Sequence, residues 1–427
     1  MKPYGSYSPA ELETEWQTVC ARYDEWKQKG FKLDMSRGKP GPDQLVVSNM
    51  LFDMIKSDDD FKCEDGMDCR NYGGLAGLTE LRRVFAALLD VPAELVMVGG
   101  NSSLNMMFDT MAQGMIHGFS GCKPWLLQEG RKWICLTPGY DRHFGIAEYF
   151  GMELINVPLR DDGPDMDMVR ELVKDETVKG MFCIPKYSNP SGIVYSDEAV
   201  RAIAALEPAA KDFRIIWDNA YAVHGFCDKE DSLLSIYDEC LKCGHEDMVF
   251  LFTSTSKISF PGAGVAALAA SPRNLAELKR RMTLQTIGPD KLNQLRHARA
   301  FPTLQAVKEQ MKRHAAVLKP KFDIVLDTFD RELAPIGVAR WTRPTGGYFI
   351  SLNVPDGCAK RVVELCKQAG MQLTPAGAPY PYGVDPDDTE IRVAPSYPLV
   401  PELQKASELL CVAVKLAALE KMLHKSL

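Results

Sequence analysis

Lys257 stands in "FTSTSKISFPGAG", residues 252 to 264, where an apolar run ends in one ammonium group framed by small hydroxyl residues. Burial disfavours the charged form of an amine, and a neutral amine is a nucleophile able to form an imine with an aldehyde. A lone lysine could instead extend its head to water or pair with a carboxylate, so its surroundings decide. Ser254 and Ser256 place hydroxyl donors beside it, suited to an anion held near that aldehyde. Upstream, "RIIWDNAYAVHGF" sets Asp218 at the end of another apolar run with Tyr221 three residues on. Alone, the pair could be a helix cap and a core aromatic; beside a heteroaromatic ring, the carboxylate would keep a ring nitrogen protonated and the phenol would tune the imine. "PKYSNPSGIVY" reads as a turn at Asn189-Pro190, with the Asn189 amide available to the same ring if the strand ends converge. In "VMVGGNSSLNMMFDTM" a strand runs through Gly99 and Gly100 into a helical pattern, so amides there, with Asn101, Ser102 and Ser103, make a phosphate cradle. Tyr140 in "CLTPGYDRHFG" comes after a strand-ending turn, where its ring can stack on a flat ligand.

Pyridoxal 5'-phosphate asks for this set: an amine for its aldehyde, a carboxylate for its pyridine nitrogen, donors for its phenolate oxygen and a cradle for its phosphate. No metal is expected. Cys240, Cys243 and His245 in "ECLKCGH" have half the spacing of a zinc site, but no second pair comes after them, and a helix ending near Gly244 accounts for them.

The elements that must hold these groups are legible as seven apolar, β-branched runs between residues 95 and 270: "ELVMVGG", "KWICLTP", "ELINVPL", "GMFCIP", "RIIWDN", "MVFLFTS" and "GVAALAA". Continuous apolar runs alternating with helical patterns predict a mostly parallel sheet covered on both faces, an α/β architecture. Ahead of them, "SPAELETEWQTVCARYDEWKQKG" predicts a helix capped by Ser8, with Pro9 in the first turn, Glu11 three residues after the cap and Gly30 as its stop. After a charged helical stretch over roughly 303 to 335, "GGYFISLNV", "MQLTPAG" and "EIRVAPS" predict a separate α+β unit to which the first helix returns.

With 427 residues, 46% hydrophobic and 25% charged, the chain is long enough for two packed units and far from the composition of disorder. A net charge of −7 with scattered lysines and arginines argues against a nucleic-acid partner. No stretch reaches the ~18 consecutive apolar residues of a membrane span, and the acidic start does not read as a signal peptide. Cysteines inside apolar runs, such as Cys135 and Cys183, fit a reducing compartment, so a cytoplasmic location is expected.

Gly100-Asn101-Ser102, Tyr140, Asn189-Pro190, Asp218 with Tyr221, and Ser254 to Lys257, in this order, resemble the fold type I, class I pyridoxal-phosphate aminotransferases over nearly the whole chain. "MSRGKPGPDQL", "CRNYGGLAGLTELR", "TSKISFPGAG" and "PAGAPYPYG" resemble its stand-alone MocR-like group, which implies aspartate aminotransferase activity. The resemblance implies a large domain over residues 50–300 carrying the seven-stranded sheet, and a small domain built from 1–49 and 301–427. It further implies Lys257 as internal aldimine and proton carrier, Asp218 on the ring nitrogen, Tyr221 and Asn189 on the phenolate oxygen, and Tyr140 stacked. Arg392 in "EIRVAPS" aligns with the arginine that grips the substrate α-carboxylate, a planar match that lysine could not give, and Gly38 lies near the same carboxylate. Tyr72 of "YGGLAGL" is implied to cross to the neighbouring subunit's cofactor phosphate, hence a homodimer with shared sites.

One departure stands out: Gly264 occupies the place where most of the superfamily has a cation for the phosphate. The expected substrates are an L-amino acid and a 2-keto acid, aspartate and 2-oxoglutarate first. Arg37 or Lys39, or Lys291 or Arg296 of a partner, are candidates for the second carboxylate. Aromatic or 2-aminoadipate aminotransferases and a carbon–sulfur lyase on the same cofactor stay open. A cofactor-sensing transcription regulator is disfavoured, because the stretch before "MSRGKPG" is too short for a winged helix with its linker.

Overall fold

The computed structural model describes residues 2–227 and 230–424. Each of the seven apolar runs forms a strand of one sheet: β1 (Val96–Val98), β2 (Lys132–Thr137), β3 (Glu153–Arg160), β5 (Val178–Cys183), β6 (Arg214–Asp218), β7 (Val249–Ser254) and β8 (Ala266–Ala270). An eighth, β4 (Gly163–Pro164), folds back on β3 at the edge. Two residues are too short to carry a periodic signal, so the expected count of seven is one short. The order is β1-β8-β7-β6-β5-β2-β3-β4. The pairs β7–β6, β6–β5, β5–β2 and β2–β3 are parallel, whereas β8 is antiparallel to both its neighbours. Strands β5 to β8 are buried at every position, which is why their sequences lack alternation. Because β2, β5, β6 and β7 run the same way, the segments after Thr137, Cys183, Asp218 and Ser254 all leave from one edge, where open α/β sheets hold their ligands.

The first helix covers Pro9–Gln28, with Ser8 and Glu11 closing a reciprocal capping box and Gly30 at φ 61° behind it. It packs Leu12, Val19, Tyr23 and Trp26 into a core shared with residues from Phe322 to Leu419, and Tyr23 Oη donates to the Leu365 carbonyl at 2.8 Å. A separate core spans Leu51 to Met311 around the large sheet. Helix Leu304–Glu332 serves both, giving Val307 and Met311 to one and Phe322, Val325 and Phe329 to the other. A small third cluster, which includes Ile184, Tyr187, Tyr221, Tyr348 and Phe349, lies between them.

The three late runs divide between two small sheets. Ile350–Asn353 pairs antiparallel with Glu390–Val393, with Ser351 opposite Arg392, and Arg340–Trp341 flanks them. Met371–Gln372 pairs instead with Leu33–Asp34, in parallel, because the first helix delivers the chain beside it. Helix Ile236–Cys243 ends at Gly244, left-handed at φ 73°, as the cysteine spacing suggested. Among the described residues no helix is long and apolar enough to cross a membrane.

Glu390, two residues before Arg392 on the same strand face, is fully buried and accepts from Ser351 Oγ at 2.8 Å and Asn353 Nδ2 at 2.9 Å. Burial raises its carboxyl to about 8, against the effect of those two donors. The folded state therefore holds a proton that the unfolded chain releases near pH 4.5, so this contribution is complete below that pH and disappears as pH rises to about 8. Thermal melts at pH 5.5 and 8.5 should show a larger fall in Tm for wild type than for Glu390→Gln; equal falls would remove Glu390 as the cause.

Candidate active site

The shared strand edge opens into a cavity of about 340 Å³ lined by Gly38, Tyr140, Asn189, Asp218, Tyr221, Lys257 and Arg392, together with Arg37, Asp141, Arg142, Phe349 and Thr374. Eight residues singled out in the sequence, Arg37 among them, thus meet on one surface, drawn from the segments at the ends of β2, β5, β6 and β7 on one side and from the second core on the other. Lys257 lies in the turn three residues beyond β7, half-buried, so it ends the strand less deeply than the apolar run suggested. Its Nζ sits 4.9 Å from the Tyr221 ring centre and 5.8 Å from that of Tyr348. It makes no ion pair among the described residues.

Asp218 is the last residue of β6 and 4% exposed. Its Oδ2 lies 3.0 Å from His143 Nε2, while Oδ1 is buried without a hydrogen-bond partner. A carboxylate oxygen only accepts, so the His143 proton is on Nε2. The imidazole stacks on Phe182 at 4.6 Å. Tyr221 is buried and its hydroxyl pushed up, first by desolvation and then by the Asp218 charge; Tyr140 is raised by the same desolvation. Both phenols keep their protons at neutral pH.

Arg392 reaches in from the second core. Its Nη1 donates to Asp141 Oδ1 at 2.9 Å and to Asn189 Oδ1 at 3.5 Å, and its Nε and Nη2 lie 3.4 and 3.3 Å from Thr374 Oγ1. Thr374 is free to accept because its own proton goes to the Ser36 carbonyl at 2.8 Å. With its oxygen on Arg392, Asn189 has its Nδ2 donors left for the cavity. Gly38 packs against the tip of the Phe349 ring, leaving no room for a β-carbon.

Gly100 and Asn101 line a neighbouring depression of about 660 Å³ with Gly262, Ala263 and Arg296. Ser102 caps helix Ser103–His117, accepting from the Asn105 amide at 3.4 Å. The buried Ser254 Oγ donates to Ser256 Oγ at 3.1 Å, and Ser256 Oγ to the Asn101 carbonyl at 3.3 Å, tying the end of β7 to the helix start. A β-carbon on Gly264 would lie 3.1 Å from Thr255 Oγ1 and the Phe260 carbonyl, so the backbone leaves little space for a cationic side chain there. Tyr72 lines neither cavity of its own chain and is 77% exposed. Of the candidates for a second carboxylate, only Arg37 lines the central cavity: Lys39 Nζ lies over Tyr397 at 4.0 Å, Lys291 is buried, and Arg296 donates to Asn293 Oδ1.

The family model described as "Aspartate amino-transferase" matches residues 7–426. The chain belongs to that family. This aminotransferase is 47% identical, over 95% of its length and 94% of the relative's, to the aspartate aminotransferase of Corynebacterium glutamicum. The crystal structure of an aspartate transaminase from that organism superposes with a TM-score of 0.95 at 45% identity, covering 97% of this chain and 98% of the other. LysN of Thermus thermophilus, an α-aminoadipate aminotransferase solved with N-(5'-phosphopyridoxyl)-L-leucine, shares the fold at a TM-score of 0.74 and 21% identity, over 94% and 95% of the two chains.

Three residues of the aminotransferase site, two lining the cavity and one behind Asp218, escape a reading by motif. His143 lies three positions after Tyr140 in "GYDRHFG", and that spacing at a helix start was the available signal: the two rings pack edge-on at 5.0 Å. Asp141 and Arg142 occupy the first turn of helix Asp141–Tyr149, where an acid reads as ordinary dipole complementarity and a base as a solvated surface charge.

Proposed function

We propose that this aminotransferase uses pyridoxal 5'-phosphate to transfer the amino group of an L-amino acid, aspartate first, to 2-oxoglutarate. The fit rests chiefly on Asp218, which lines the cavity with one buried oxygen unpartnered and the other engaged by His143. When bound, the cofactor supplies an aldehyde for amines and a ring that accepts the electron pair left at the substrate Cα. Asp218 Oδ1 would accept from the protonated ring nitrogen, and His143 Nε2 orients that carboxylate. Lys257 Nζ would hold the cofactor through its aldehyde and, once free, would move the substrate Cα proton. Tyr221 and the Asn189 amide donate to the ring oxygen, and Tyr140 stacks. The phosphate falls to Gly100, Asn101, Ser102 and Ser254, with Tyr72 from a second subunit, which makes the working unit a homodimer. The core around the large sheet forms the large domain, residues 50–300, and the second core the small one, 1–49 with 301–427.

Arg392 takes the α-carboxylate. The dicarboxylate preference is supported by Arg37 and Arg142, which line the same cavity and make no ion pair among the described residues. Arg142 joins Arg37 as a candidate because it lines the same cavity, beside Lys291 or Arg296 of a partner subunit. Adding single amino acids to cofactor-loaded enzyme and monitoring loss of the visible cofactor band together with keto-acid release tests the reaction and its preference at once. Aspartate and glutamate should react without any acceptor present; pyruvate and ammonia from cystathionine instead would make the protein a lyase. Arg37→Ala and Arg142→Ala should each raise the KM for aspartate about tenfold, the weight of one charge-assisted hydrogen bond, while alanine changes less than about twofold. Equal losses for both amino acids would take these arginines out of side-chain recognition.

A further inference from the structure

In transamination, the reading on which this inference rests, Arg392 must grip the substrate, yet it already holds a carboxylate. Asp141 Oδ1 accepts from Arg392 Nη1 at 2.9 Å, the shortest contact that guanidinium makes, and the two residues come from different cores. The remaining contacts are weaker and neutral: Asn189 Oδ1 at 3.5 Å on Nη1 and the Thr374 hydroxyl at 3.3 Å on Nη2 and 3.4 Å on Nε. The Nε–Nη2 side of the fork faces Thr374, so a substrate carboxylate that binds end-on in two places takes one proton from each terminal nitrogen. The proton that Nη1 offers most strongly is already given to Asp141.

We infer that Asp141 sets the affinity of Arg392 for carboxylates: its carboxylate stands in for the substrate's α-carboxylate on Arg392 and must be displaced when an amino or keto acid binds. Four features support an exchangeable stand-in over a fixed strut. Asp141 lines the cavity, and its side chain is 37% exposed where that of Arg392 is 9% exposed. It makes one side-chain hydrogen bond among the described residues and does not cap its own helix, so releasing it costs a single contact. Its place in the first helical turn favours its negative charge once it is free. Arg392 without a partner would be a largely desolvated cation, open to any small anion.

The exchange makes binding conditional. A monocarboxylate offers Arg392 only what Asp141 already provides, so it gains little. A dicarboxylate also engages Arg37 or Arg142, which pair with no carboxylate among the described residues, and this second contact tips the exchange. Asp141 therefore weakens all carboxylates at Arg392 and leaves the difference between them to the distal end.

The test is the affinity of cofactor-loaded enzyme for two non-reacting probes, acetate and succinate, read from the shift of the visible cofactor band. Asp141→Asn keeps the shape and removes the charge; Asp141→Ser removes most of the side chain and checks that any effect tracks the lost carboxylate. Both variants should bind acetate and succinate about tenfold more tightly than wild type, and the KM values for alanine and aspartate should fall in parallel, because the stand-in competes with every carboxylate at Arg392 alike. Unchanged or weaker acetate binding in both variants would show that Asp141 orients Arg392 and would overturn the inference. The transamination reading fails separately, on the wild-type protein, if that protein shows no cofactor band or no reaction with aspartate; in that event this inference falls with it.

Discussion

Lys257→Ala protein should fold as well as wild type and turn over aspartate on the order of 10⁴-fold more slowly, the upper range for loss of one positioned acid–base group. Its folding should survive because Lys257 is half-buried, pairs with no carboxylate among the described residues and so leaves no orphaned charge behind. The catalytic loss should be deep because nothing else in the cavity can take over. Tyr140 and Tyr221 have hydroxyl pKa values pushed up by burial and are poor bases at neutral pH. Asp218 is held by His143 on the far side. Two measurements check this: stopped-flow of the half-reaction with aspartate, and a thermal melt to show that the fold persists. Turnover within about tenfold of wild type would mean that another group moves the Cα proton.

Asp218→Asn should lower turnover about 10³-fold, with KM moving far less, because an amide cannot fix a proton on the ring nitrogen while retaining nearly the same volume. The change also reaches the histidine behind it. His143 Nε2 donates to Asp218 Oδ2, and both side chains are buried. Asparagine can meet that donor with its oxygen, after which its NH₂ group points where the acceptor Oδ1 had been. The variant therefore presents a donor to a nitrogen that needs an acceptor. Cofactor retention through gel filtration should fall together with the rate. Near-native kinetics would remove the electron-sink role from this carboxylate.

The parts legible from sequence are those carried by continuous apolar runs. Strands β2, β5, β6 and β7 announce themselves as buried and parallel, and parallel strands deliver the segments after them to one edge, so the sequence alone groups Tyr140, Asn189, Asp218 and Lys257. The hidden parts depend on contacts between distant segments. The Asp141–Arg392 pair joins positions 251 residues apart on different cores, and no local pattern encodes it. The pairing of Met371 with Leu33 results from where the first helix docks, and β4 is shorter than any period that could reveal it. Gly264 illustrates a partial signal: the missing cation is visible in the sequence, but the crowding by Thr255 and Phe260 that disfavours it is not.

Helix Leu304–Glu332 is a single rod with one end in each core, and Arg392 and Lys257 answer to opposite ends of it. Bending or shortening that rod would alter the distance between the hand that grips and the group that reacts without changing a residue of either. Substitutions around Pro320, remote from any substrate atom, are thus a place where selection could retune which amino acids react.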